Sequence, residues 1–403
     1  MSNEAAQATP LEATPGKAVP LEAGLVEGRA SVLARAAVIA TAMVFGLTYS
    51  LTAPLIAFDL AARGLSEGAI GANAAMHAVG VLITAVALPR LVATLGPRKL
   101  IFLSIAISAA ALIAFPLLPM LAAWFVLRLF LGMAAEALFV TSETWINALS
   151  TEGTRARSMA AYTAALSVGL ALGPIILSLV GTAGALPYGV GAGIALLAAL
   201  FVASPRVVAP RFDEPTVGNP VRFVRLAPLA LSATLLNAAI ETAGLSFLAL
   251  YAINLGWAEA HATRLMSVMM IGAIALQLPI GWLGDKMDRR HLVIALATLS
   301  AVGAAVWPLA LGSTIATYAL LFVWGGAFVG IYTIMITLVG SRFKGGDLVG
   351  IYAVSGLFWG LGALVGPLGA GFAMQAHPHG LAVFATLTCA GFALAAWRLK
   401  GTT

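Results

Sequence analysis

The sequence predicts an all-α membrane protein with twelve transmembrane helices arranged as two pseudo-symmetric six-helix bundles. Three observations carry this. Of the 403 residues, 61% are hydrophobic and only 9% are Asp, Glu, Lys or Arg, for a mean hydropathy of +0.99; a water-soluble chain of this size needs far more polar surface. The apolar residues fall in runs of roughly 20, the length that spans a bilayer as a helix. Landmarks in the first half recur in the second at a nearly constant offset. A β-barrel would show short alternating strands instead.

Residues 1–32 come first, rich in Ala, Pro and Glu and without the basic-then-apolar layout of a secretion signal. They are expected to form a disordered cytoplasmic tail, leaving an uncleaved first span. Apolar segments follow at 34–58, 68–92, 99–117, 121–146, 157–182 and 184–203. A second set falls at 226–254, 263–284, 290–311, 313–340, 346–374 and 378–397. Between the sets, "SPRVVAPRFDEPTVGNPVRFVR" has four prolines and clustered charge. It reads as a cytoplasmic linker over 204–225 between bundles at 33–203 and 226–398.

The repeat shows in two places. Pro174 of "GLALGPIILSLVG" and Pro367 of "GLGALVGPLGAG" are 193 positions apart; Pro89 of "PRLVATLGPRK" and Gly281 of "GWLGDKMDRR" are 192 apart. Duplicated six-span units are one of the known transporter designs.

The net charge of +6 raises nucleic acid as a partner, and its distribution answers the point. With the N-terminus inside, 19 of the 22 Lys and Arg residues fall on cytoplasmic segments, leaving only Arg63, Arg128 and Arg264 elsewhere. The positive-inside bias therefore places both termini in the cytoplasm and accounts for the charge without nucleic acid. The single cysteine, Cys389, lies in an apolar run and reads as packing.

"GWLGDKMDRR" concentrates charge in a short turn between spans eight and nine. Gly281 and Gly284 allow close helix approach. Asp285 can meet donors from a neighbouring helix, and Lys286, Arg289 and Arg290 can reach acidic partners, so the cluster suits a conformational latch. Anchoring at the membrane surface is the plainer role for Arg289 and Arg290.

The stretch resembles the loop motif G-x-L-a-D-r-x-G-r-[KR] of the major facilitator superfamily. Gly281, Leu283, Asp285, Lys286, Arg289 and Arg290 match, and Asp288 replaces the usual glycine. The first-half copy keeps Leu91, Gly96 and Arg98, with Pro89 and Ala93 at the glycine and aspartate positions. "RLFLGMAAEA" resembles the family's R-x-x-x-G motif through Arg128 and Gly132. "SETWINALSTEGTRARS" and "FVWGGAFVGIYTIMITLVGSRFKGGDLVG" are similar to the bacterial YcaD-like branch. The resemblance implies the major facilitator fold, an inner-membrane location and a cavity lined by the first helix of each three-helix unit.

His77, Arg128, Glu136 and Glu241 stand inside apolar runs, where a charge costs at least ~2.5–3.5 kcal/mol and needs a partner, a wet cavity or a proton. Arg128, Gly132, Glu136 and Glu143 share a stripe about 80° wide, with Arg128 and Glu136 roughly 12 Å apart along the axis. Glu143 is placed to meet Arg98 or Lys99. Thr234, Asn237 and Glu241 share a face of span seven, Thr41, Thr48 and Thr52 a face of span one, and Asn73 lies one turn from His77. Tyr332 adds polarity in span ten.

Glu136 and Glu241 are the candidates for proton coupling or cargo contact, since a carboxyl in an apolar cavity can exchange protons near neutral pH. A buried fixed pair is the alternative for Glu136, and hydrogen-bonded packing for His77. No Walker loop, zinc-type His-Glu spacing or G-x-S-x-G elbow occurs, so no enzyme chemistry, metal or cofactor is expected. The reading is a monomeric, proton-coupled secondary transporter of a small solute working by alternating access. A receptor or sensor on the same fold, a multidrug-type efflux carrier and a channel are the alternatives.

Overall fold

The computed structural model describes residues 21–150, 152–204, 220–343 and 345–398. Among them are fifteen helices and no strand. The first six are α1 (Leu21–Ala62), α2 (Glu67–Leu95), α3 (Pro97–Leu117), α4 (Leu121–Ala148), α5 (Glu152–Val180) and α6 (Leu186–Ala203). A short α7 (Pro220–Leu226) precedes α8 (Pro228–Asn254). Then α9 (Glu259–Ala262), α10 (Leu265–Ala275) and α11 (Gln277–Lys286) form one interrupted span. The chain ends with α12 (Arg289–Ala310), α13 (Thr314–Arg342), α14 (Gly345–Ala376) and α15 (Gly380–Arg398). Twelve of these segments are long and apolar enough to cross a bilayer.

Three local departures from the expectation have simple causes. Helix α1 starts at Leu21, inside the segment expected to be a disordered tail through residue 32. The last proline of that segment is Pro20, and "LEAGLVEGRASVLAR" beyond it is rich in good helix formers. The end of the expected linker is helical, because the buried ring of Phe223 on α7 packs against Gly350 of α14. Span eight breaks at Leu276: Pro279 offers no N–H to the Ala275 carbonyl, so the ladder cannot continue unbroken.

The duplication is visible as repeated backbone contacts. Gly80 and Gly132 bring α2 and α4 together, their Cβ positions falling on the carbonyls of Leu129 and His77. In the second half Gly272 and Gly325 bring α10 and α13 together on the carbonyls of Phe322 and Met269. Each of these residues lies 192 or 193 positions beyond its counterpart. The same holds for Gly169 and Gly173, packed on Met43 and Leu47 of α1, and Gly362 and Gly366, packed on Leu235 and Ala239 of α8. A side chain at any of these sites would push the helices apart; small residues are what permit such crossings in a membrane.

We call the side holding the two ends of the bundle sequence the terminal face and the other the distal face. The halves meet along α2–α14, α5–α10 and α1–α8. Among the described residues, the hydrogen bonds that join the halves all lie toward the distal face. Thr182 donates to Glu259 at 2.6 Å, Arg264 to Ser178 at 3.3 Å, Asn254 to Glu67 at 3.3 Å and Ser267 to the Ala171 carbonyl at 2.7 Å. Toward the terminal face, α11 packs on α10, α12 and α13 of its own half. The molecule is closed distally.

Candidate transport site

Helix α4 packs on α1, α2, α3 and α5, and α13 on α8, α10, α11 and α12, so each keeps to its own half. Yet Tyr332 of α13 lies within electrostatic reach of both Glu143 of α4 and Glu241 of α8. Polar groups of the two halves thus come within reach of one another from α4 and α13. Glu136 and Glu143 are half-buried on α4, and among the described residues neither carboxylate makes an ion pair or side-chain hydrogen bond.

The halves also meet at α1 and α8. Asn237 donates its amide to the Glu241 carboxylate at 3.2 Å across one helical turn, while its own Oδ1 has no partner. Tyr49 of α1 is within electrostatic reach of both Glu241 and Arg128, and its ring lies 5.1 Å from that of His77. Arg128 is 4% exposed. Its Nε is buried without an acceptor, and no described group accepts from any nitrogen of its guanidinium. Asn73 Nδ2 and His77 Nδ1 on α2 are likewise buried and unpartnered. The structure thus links Asn237 to Glu241, Tyr49 to His77, Arg128 and Glu241, Glu136 to Glu143, and Tyr332 to Glu143 and Glu241, with Asn73 one turn from His77.

A cavity of about 40 Å³, room for a few waters, lies beside this cluster inside the first half. Thr48, Tyr49, Thr52 and His77 line it. The threonine faces read from spacing are only partly available: Thr41 and Thr234 donate back to the Ala37 and Ala230 carbonyls, whereas Thr48 Oγ1 has no partner. Tyr49 was not legible as a site residue. Its one signal was its position, 192 residues before Glu241.

The charged turn makes contacts within its own half. Arg290 donates to the carbonyls of Ala396 (2.9 Å) and Trp397 (3.0 Å) at the end of α15. Its counterpart Arg98, 192 positions earlier, donates to those of Ala203 (2.7 Å) and Ser204 (3.0 Å) at the end of α6. Both arginines cap a helix C-terminus, where donors and positive charge are favoured. The expected Glu143–Arg98 ion pair does not form among the described residues, because Arg98 is turned to these carbonyls. Arg289 bonds to Gly284 and Ser341, and Lys286 lies 4.0 Å over the Trp282 ring. Gly284 packs on Ile334, while Gly281 has open space. Asp285 is exposed, with no described partner. Asp288 caps α12 by accepting from the His291 amide at 3.0 Å, and that bond lowers its carboxyl below the ordinary range.

Comparison with known proteins agrees with this architecture. Residues 38–258 and 229–402 match the family described as Major Facilitator Superfamily. The chain is 28% identical over 360 residues to the MFS-type transporter YfkF of Bacillus subtilis (strain 168), covering 87% of this chain and 91% of that one. It is 24% identical over 324 residues to the MFS-type transporter YcaD of Escherichia coli (strain K12 / DH10B), covering 80% and 84%. Among solved structures, the nucleoside transporter NupG superposes with a TM-score of 0.72 at 13% identity, covering 92% of this chain and 100% of that one. A D-xylose-proton symporter superposes with a TM-score of 0.73 at 14% identity, covering 91% and 97%. The chain belongs to the Major Facilitator Superfamily, as a membrane transporter of its YcaD-like branch and not an enzyme.

Proposed function

We propose that this protein is a monomeric secondary active transporter that moves a small solute across the bacterial inner membrane by alternating access, coupled to protons. The observation that carries the reading is Glu241. It sits where the halves meet, bonded by Asn237 and, among the described residues, paired with no cation. A carboxyl with no fixed counter-charge can take and release a proton as access switches between faces. One of the structural relatives carries a proton with its sugar, which supports the same coupling here.

Orientation follows from the basic residues: the terminal face is cytoplasmic, and the three exceptions have local explanations. Arg63 pairs with Asp59 at 3.2 Å and covers the Trp124 ring at 4.1 Å. Arg264 ties the halves together at Ser178, and Arg128 is buried. With this orientation the four hydrogen bonds between the halves lie toward the outside.

The test uses proteoliposomes loaded with a pH-sensitive dye and a panel of metabolites chosen by thermal shift of the purified protein. A solute that binds should move protons in the wild type. Glu241→Gln should abolish proton movement and gradient-driven uptake yet leave solute exchange in place. Solute flux with no proton movement in the wild type removes the coupling. Binding with no flux removes the carrier reading in favour of a receptor.

A further inference from the structure

Resting on the transporter reading, we propose that the cargo carries a carboxylate and that Arg128 receives it. The starting point is a cost. A guanidinium 96% enclosed in a bilayer-spanning bundle is expensive unless its charge is matched and its fork of donors satisfied. Here no described side chain or carbonyl accepts from it. The acid on its own helix, Glu136, is two turns away, and no ion pair joins Arg128 to Glu241 among the described residues.

Packing does not call for this arrangement. The α2–α4 crossing is built on the same backbone contacts as the α10–α13 crossing, and there the corresponding positions are apolar. Asn73, His77 and Arg128 are replaced by Leu265, Met269 and Leu321, all buried. The second half folds the same way without these polar groups. Their concentration in the first half is therefore a ligand feature.

The chemistry narrows the ligand further. A guanidinium matches a carboxylate with two parallel hydrogen bonds, and the unpartnered Asn73 Nδ2, on the helix packed against α4, is a second neutral donor. Among the described residues Arg128 is the fixed cation of this cluster, and Glu241 lies within reach of the same tyrosine, so a singly charged carboxylate balances the site where a phosphate dianion would not. A proton on Glu241 together with a carboxylate on Arg128 would cross as an electroneutral pair. The ring of Tyr49 and the apolar wall of the neighbouring cavity suit an apolar remainder.

The probes are short aliphatic and aromatic monocarboxylates, each paired with its primary amide, added to the purified full-length protein at constant ionic strength. At least one carboxylate should raise the thermal midpoint with saturable dose dependence, and its amide should not. Arg128→Gln should remove the shift, and Arg128→Lys should weaken apparent affinity by about tenfold through loss of the fork. Asn73→Leu, which copies the second-half residue and keeps the charge, should weaken it too and serves if Arg128→Gln does not fold. Equal stabilisation by acid and amide, a shift that survives Arg128→Gln or Asn73→Leu, or no effect of any acid overturns the proposal. Neutral or cationic solutes that bind and move protons would end this inference and leave the transporter reading standing. Carboxylates that bind through Arg128 without flux would do the reverse.

Discussion

Gly132 shows how little tolerance the bundle has for a single atom. A Cβ there would lie 1.9 Å from the His77 carbonyl oxygen, and backbone cannot yield as a side-chain tip can. Gly132→Ala should destabilise the purified protein by about 1–3 kcal/mol, read as a lower thermal midpoint in detergent. Gly281→Ala, with open space around it, should leave the midpoint unchanged. Single residues were legible in the sequence where they broke a rule: Arg128, Glu136 and Glu241 are charges in apolar runs, and charge needs no partner to be noticed. Tyr49 breaks no rule, because tyrosine is ordinary in such helices, and only the structure shows it within reach of both Arg128 and Glu241. Arg98 and Arg290 were read for their charge, yet their role is set by where the last carbonyls of α6 and α15 come to rest, which depends on tertiary packing.

At the scale of the element, the staples made by those arginines can be measured. Arg290→Ala deletes the donors that Ala396 and Trp397 accept from, and each charge-assisted bond is worth about 1.5–3 kcal/mol. The end of α15 should then exchange its amides faster, with α12 unaffected beyond its first turn. The start of α12 offers a pH test. Because the His291 amide lowers the Asp288 carboxyl, the cap is at full strength above the ordinary aspartate range, about 3.9. It is lost as pH falls through the lower folded value. First-turn amides of α12 should lose protection in acid, after correction for intrinsic exchange, and Asp288→Asn should flatten that dependence. Just past the break in span eight, Gln277 accepts from Thr333 of α13 at 2.6 Å; Thr333→Val leaves a half-buried amide oxygen unpaired at a cost of about 1 kcal/mol. The existence of each span was legible from its length in apolar residues. The start of α1 and the helix α7 were not, since charge and proline mask helix-forming stretches and a contact such as Phe223 on Gly350 has no signature in the sequence.

For the whole molecule, the duplication was legible because it is a statistical property of many residues at once. The conformation was not: under the proposed alternating access one sequence must specify two arrangements, so nothing in it favours the one seen. The distal hydrogen bonds supply the test. Thr182→Cys with Glu259→Cys, joined by a short bifunctional thiol reagent, should stop solute flux, and reduction should restore it. Cys389 is fully buried and should not compete for the reagent. Flux that persists in the crosslinked protein would show that the distal face need not open.

Two points of the seam being held there are bare. Gly71 of α2 meets the backbone of Pro367 on α14, and Gly371 meets that of Glu67, so backbone lies directly on backbone at both. Smooth points of contact slide where meshed ones must first unlock. The bilayer then becomes the brake on turnover: lengthening the acyl chains around the protein should slow the cycle more than deleting any one of the four bonds across the seam.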